Sequence, residues 1–510
     1  MDIAERRLIK TAGTGRNRLS SEALFFVSLT IYMLSYVFMA AGGDSWLRFQ
    51  SANAVWYISF AAAVFFFARS SYPGKLMSLG PLRSSLLLFG IALFLQLTFL
   101  LREPALSQDI MWLHMRGENM IDGKFPYQDF PVNKPPLYIW MVGLISVVFG
   151  PTEASFRIIF VLVNSAIPVV MLGIYRAGMD SGYLNRVTDG SSDGGLPPIG
   201  WGIGALAYSL WPVGILESGL AGHFDPVVVI SVLLSYLFLI RGKPIISGLF
   251  LGAGFSLKLY PIFLLPVFLL GFRKWKDRGI LLAGFVSVFL ISSLPILIRD
   301  PVLLLDYFVY QTAGWYSGLS VRFLMELILD IAGFPTSAAA VILNLALAAG
   351  ALYLYYRGAT GKIKRKDLSL IAVLTSLLII IMLIYGISII KAGSHSIYEW
   401  TSGMFSLGRS ILFIGLSVYL FVSFDSEGGE NGIQEGTKML KRHIPVILIP
   451  TVSASVLILL LICSPQFHPW YLLWIFPFAL ASDPPLTWIS VFLFGFLQTS
   501  AYPPWEVGGF

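Results

Sequence analysis

Cysteine is almost absent: Cys463 stands alone among 510 residues, which excludes an intrachain disulfide and any site built from several thiolates. Charge is scarce as well. Lys, Arg, Asp and Glu make up 12% of the chain, about half of the usual share in a soluble domain, so a water-soluble enzyme and a charge-rich disordered chain are both excluded. No internal period of roughly 20–50 residues recurs, which removes solenoids and propellers.

The remainder is apolar. Hydrophobic residues reach 56%, aromatics 15%, and the mean hydropathy is +0.77. Runs long enough to cross about 30 Å of hydrocarbon recur from Ser21 onward, so the expected fold is an all-α polytopic membrane protein with about 11–14 membrane segments, one domain over residues 1–510. Long helices are predicted at 21–41, 53–68, 84–101, 157–175, 199–215, 226–240, 280–298, 336–356, 368–390, 404–424 and 444–463. Shorter apolar stretches at 137–150, 248–257 with 262–270, and 471–481 read as re-entrant, half or interfacial helices.

The net charge of +7 forms no continuous patch, which argues against nucleic acid as a partner. It reports topology instead. Arg6, Arg7, Lys10, Arg16 and Arg18 precede the first apolar run, and that run lacks a small-residue cleavage site. Basic clusters then recur at alternate connections, so residues 1–20 are expected in the cytoplasm. Gly-, Ser- and acid-rich segments at 176–198 and 425–443 read as flexible cytoplasmic loops. Residues 102–156, rich in Asp, Glu, His, Arg, Lys and Trp, then form the first and most polar loop of the opposite face. Chemistry is expected there.

Asp109 lies just past the third apolar run, where a partly desolvated carboxylate suits a general base as well as it suits a helix cap. Lys258 interrupts an apolar hairpin at Lys258-Leu259-Tyr260-Pro261; a cation at that depth needs a partner, and a phosphate would serve. Arg157 invites the same reading, and snorkelling is the plain alternative for both. Asp225, before Pro226, matches an N-cap, yet Glu217 and His223 are close in sequence and several carboxylates can converge. If a divalent cation (Mg2+ or Mn2+) is used, Asp109 and Asp225 are the expected ligands. Gln311 and Arg322, beside an aromatic stretch around Trp315, and Gln466 and His468, beside Trp470, are further candidates for contacting a sugar, although aromatics are ordinary at a membrane interface.

Taken in order, these stretches resemble the GT-C superfamily of polytopic glycosyltransferases. Asp109, Gly123-Lys124-Phe125-Pro126-Tyr127, Asn133-Lys134-Pro135-Pro136-Leu137-Tyr138 and Arg157 are similar to the first loop of protein O-mannosyltransferase-like and aminoarabinose transferase-like enzymes. Gly254-Phe255-Ser256-Leu257-Lys258-Leu259-Tyr260-Pro261, and Ser464-Pro465-Gln466 with Tyr471-Leu472-Leu473-Trp474, resemble GPI mannosyltransferase I and family 87 mannosyltransferases. Many such relatives carry an acidic pair where this chain has Gln108-Asp109. The resemblance implies a mannosyltransferase that draws on a dolichyl- or polyprenyl-phosphate sugar at the extracytoplasmic face and glycosylates a lipid-linked or protein acceptor with inversion. It implies Asp109 as the catalytic carboxylate, Asp225 as the second acidic position, and Lys258 with Arg157 as donor-phosphate contacts; beside these, Tyr260 is a further candidate for the donor phosphate, and Lys134, Glu217 and His223 are candidate substrate contacts. A secondary transporter or lipid flippase also fits broken helices with a lysine at the break. A structural subunit of a membrane complex is the third reading.

Overall fold

The computed structural model describes residues 3–41, 46–101, 108–180, 200–304, 449–463 and 471–481, with isolated positions between 304 and 350. Among the described residues every regular element is a helix: α1 (Ile3–Ala41), α2 (Trp46–Arg69), α3 (Tyr72–Ser78), α4 (Pro81–Leu100), α5 (Gln108–Ile121), α6 (Pro136–Phe149), α7 (Glu153–Asp180), α8 (Gly200–Ser209), α9 (Pro212–Ile215), α10 (Asp225–Ile240), α11 (Pro244–Leu257), α12 (Leu265–Gly271), α13 (Trp275–Arg299), α14 (Ile449–Cys463) and α15 (Leu472–Ala481). A π-turn (Leu216–Leu220) continues α9, and a 3-10 turn (Tyr260–Leu264) joins α11 to α12. Ser21–Ala40, α4, α7 and α13 are long and apolar enough to cross a membrane, and α8 with α9 and the π-turn, bent by 51°, is so only when the two parts are taken together, as a broken span or a re-entrant loop. The protein is an all-α, multi-pass membrane protein. The helices expected at 336–356, 368–390 and 404–424, and the loop at 425–443, lie outside the described residues.

Proline sets several helix starts. Pro81, Pro136, Pro212, Pro226, Pro244 and Pro261 each fall in a first turn, where the missing N–H costs nothing and the fixed φ already suits a helix. Glycine sets the closest packing. On the α11–α13 seam, a Cβ on Gly248 would strike the Leu281 carbonyl, one on Gly252 the Phe285 carbonyl, and one on Gly284 would sit 2.6 Å from Ile245 O. Only bare backbones fit there, the small-residue packing that substitutes for a hydrophobic drive within lipid.

Buried polar groups join the remaining helices. Tyr32 donates to Leu210 O at 2.8 Å and Tyr36 to Leu95 O at 3.0 Å, fastening α1 to α8 and α4. Gln96 donates to Ser165 at 3.1 Å, Asn164 donates to Gln96 and to Gly214 O at 2.9 Å, and Tyr208 donates to Asn164 at 2.8 Å. The Asn164 bond to Gly214 O satisfies backbone just beyond the bend at Leu210-Trp211. A break inside an apolar bundle needs that compensation.

Two elements differ from the sequence expectation. The stretch at 199–215 was predicted as one straight helix, but Trp211-Pro212 divides it, since proline disfavours a helical residue before it. Residues 108–121, predicted as loop, form α5, whose buried Ile110, Leu113 and Arg116 recur at i, i+3 and i+6. The pattern was hidden because Arg116 is one of its buried members. Helix α1 also begins well before the apolar run, at Ile3.

Candidate functional site

One end of the bundle gathers the C-terminal ends of α4 and α11 with the N-terminal ends of α5, α7, α10 and α15. Arg157 begins this arrangement. From the first turns of α7 its guanidinium donates to Phe99 O at 2.9 Å and to Gly219 O at 2.6 and 3.2 Å, pinning the end of α4 to the π-turn. Gly222 then reverses the chain at φ 69°, and a Cβ there would sit 2.8 Å from Ile110 and 3.0 Å from Arg157. The turn needs glycine for its backbone conformation and for its fit against α5. It delivers His223, Phe224 and Asp225 together.

Asp225 is fully buried, and its Oδ1 accepts from Lys258 at 2.7 Å and from the indole N–H of Trp474. Its Oδ2 has no hydrogen-bond partner. The Lys258 ammonium also lies 4.7 Å from the ring centre of Trp474, 5.0 Å from Tyr471 and 5.3 Å from Phe224, so an aromatic cage surrounds the charge. Tyr260 stacks on Trp474 at 4.0 Å. The β-type backbone of Lys258, where α11 stops, turns this side chain into the cluster.

Asp109 approaches from α5. Its Oδ2 accepts from His223 Nδ1 at 3.2 Å, and the other ring nitrogen lies 3.3 Å from Glu217 Oε2. Burial favours a neutral Asp109, but the His223 hydrogen bond and the charges of His223, Lys134 and Lys258 hold the carboxyl well below the usual range. Burial likewise disfavours charge on His223, and Asp109 and Glu217 raise it above its ordinary value. Burial lowers Lys134 to about 8, against the pull of Asp109 and Asp225. Two lysines, a histidine and three carboxylates thus share one electrostatic neighbourhood.

The loop bearing Lys134 is tied down by hydrogen bonds. Arg116 donates to Asn133 at 2.9 Å, to Tyr138 at 3.1 Å and to Pro131 O at 3.4 Å, while Tyr127, at φ 67°, donates to Lys134 O at 2.6 Å. Asp109, Lys134, Glu217, His223, Asp225, Lys258 and Tyr260 therefore meet in one region. Arg157 lies behind it, occupied by carbonyls. Gln311, Arg322, Gln466 and His468 lie outside the described residues. Arg116 and Phe224 were not singled out from the sequence; Tyr471 and Trp474 stood there only as part of the family-like motif, with no role assigned, although they are three apart, a same-face spacing.

Among the described residues no group of three or more His, Cys, Asp or Glu side chains is arranged to hold a metal. Asp225 faces an ammonium, with which a metal would have to compete. The donor set as it stands does not fit a bound cation.

No curated protein and no solved structure matches the chain. Residues 135–384 match the model of glycosyltransferase family 87, a stretch that carries Arg157, Glu217, His223, Asp225 and Lys258. With the multi-pass helical fold around them, this match supports a membrane glycosyltransferase.

Proposed function

We propose that the protein transfers a hexose, mannose in the first instance, from a dolichyl- or polyprenyl-phosphate donor to a lipid-linked or protein acceptor at the extracytoplasmic face. The observation that carries this reading is an ionised, partly exposed carboxylate, Asp109, in the field of two lysines, Lys134 and Lys258. A lipid phosphate is an anion whose tail lies in the bilayer, and two ammonium groups at the mouth of a membrane bundle suit its head. Asp109 supplies the complementary function.

In the proposed reaction the acceptor hydroxyl attacks the anomeric carbon from the side opposite the phosphate. The C–O bond to phosphate breaks as the new glycosidic bond forms, the configuration inverts, and the hydroxyl proton passes to Asp109. The phosphate leaves with the electron pair, and Lys134 and Lys258 stabilise its charge. A carboxylate of such low basicity acts late, when the attacking hydroxyl has become acidic. No step is routed through a metal.

The test is transfer from dolichyl-phosphate mannose in membranes containing the protein. Asp109→Asn abolishes transfer while the protein accumulates normally; turnover within about tenfold of wild type would reject the assignment. Chelation with EDTA leaves transfer unchanged, and a strict metal requirement would mean that Asp225 exchanges Lys258 for a cation during turnover.

A further inference from the structure

Glu217 and His223 were expected to touch substrate, and their surroundings argue otherwise. The side chains of His223 and Glu217 are 4% and 0% exposed, whereas Asp109 is 35% exposed. His223 Nδ1 is hydrogen-bonded to Asp109, and Nε2 lies 3.3 Å from Glu217 Oε2, close enough for an ion pair but without hydrogen-bond geometry. Its backbone N–H also donates to the Glu217 carbonyl at 2.9 Å, so Glu217 holds His223 through the main chain and sets a carboxylate beside the ring. The π-turn makes this possible, because its extra residue per turn shifts the register of the helix end. Arg157 pins that turn through Gly219 O.

We propose that Glu217 and His223 are positioning residues that act in series, Glu217 fixing the imidazole and the imidazole fixing the Asp109 carboxylate, so that the exposed edge of Asp109 is aimed at the acceptor hydroxyl. Neither residue contacts substrate. The arrangement rests on the catalytic reading of Asp109 and adds to it: the carboxylate sits in the first turn of α5, and His223 provides the hydrogen bond that limits its rotation. A reacting group displaced by about 1 Å loses on the order of a hundredfold in rate.

Steady-state transfer from dolichyl-phosphate mannose separates the possibilities. Glu217→Ala and His223→Ala lower kcat by roughly 10- to 100-fold while the donor KM stays within about twofold. Glu217→Gln, which keeps an oxygen facing Nε2, restores most of the lost kcat. The double variant Glu217→Ala/His223→Ala is no slower than His223→Ala, since the two act through one chain of contacts. If Glu217→Ala fails to accumulate, His223→Gln decides the matter: its single amide cannot bridge both carboxylates, and a wild-type kcat would overturn the proposal. A raised donor KM with kcat intact would also overturn it, by making these residues substrate contacts. Asp109→Asn in the same assay separates the two claims. An active Asp109→Asn removes both; an inactive Asp109→Asn beside a fully active Glu217→Ala removes only this one.

Discussion

Lys134 is held where modest alkalinity would discharge it. Its ammonium titrates at about 8, so its positive charge is present below that pH and disappears above it. If it holds the donor phosphate, the donor KM rises as pH passes about 8, and Lys134→Arg, charged throughout, flattens that rise. A KM that is level across this range in wild type would remove Lys134 from phosphate binding. Arg157 makes a contrasting prediction. Arg157→Lys loses the fork that spans Phe99 O and Gly219 O and leaves buried carbonyls short of donors, at a cost of about 1–3 kcal/mol. A lowered melting temperature in detergent, with the donor KM unchanged, is the expected outcome; a raised KM would return Arg157 to the phosphate. Asp225 and Lys258 were legible in the sequence because charge is conspicuous in apolar surroundings. Their pairing was not, since the two stand 33 positions apart and Trp474 lies 249 from Asp225.

At the scale of elements, the α11–α13 seam carries much of the site's support, because α11 ends at Lys258. Gly252→Leu would drive a side chain into the Phe285 backbone, and the helices would separate. The expected result is poor accumulation or a protein that loses transfer and melts early; wild-type stability would show that the seam can widen. Sequence periodicity revealed the α11 hairpin well, since Lys258-Leu259-Tyr260-Pro261 interrupts two plainly apolar runs. It failed for α5, whose buried face includes Arg116, and for the π-turn, since an extra residue in one helical turn leaves no trace in hydropathy. They carry the two ends of the chain of contacts from Glu217 to Asp109. The local departures from pattern coincide with the place where chemistry is proposed, as expected when function constrains structure.

For the whole molecule, sidedness is the decisive question. The basic connections argue that the site end faces away from the cytoplasm. In a Cys463→Ser background, Asp122→Cys, on the turn after α5, should react with an impermeant maleimide on sealed cells, while Lys243→Cys, between α10 and α11, should react only after permeabilisation. The reverse pattern would put the carboxylates in the cytoplasm and end the reading of an extracytoplasmic lipid donor. Helix content and the membrane class followed from composition and run length, because a bilayer permits few solutions. The site did not, because its members come from five separated stretches that only tertiary packing brings together.

The indole of Trp474 shares one oxygen of Asp225 with Lys258, and it arrives from α15, long after the rest of the pocket has been translated. Among the described members of the site α15 is therefore the last to be translated: a nascent chain with its early hairpins already threaded into lipid still lacks the indole beside the buried ion pair. Competence for sugar transfer becomes a late event in the protein's biogenesis, and truncation before α15 should yield an inserted but inert polypeptide.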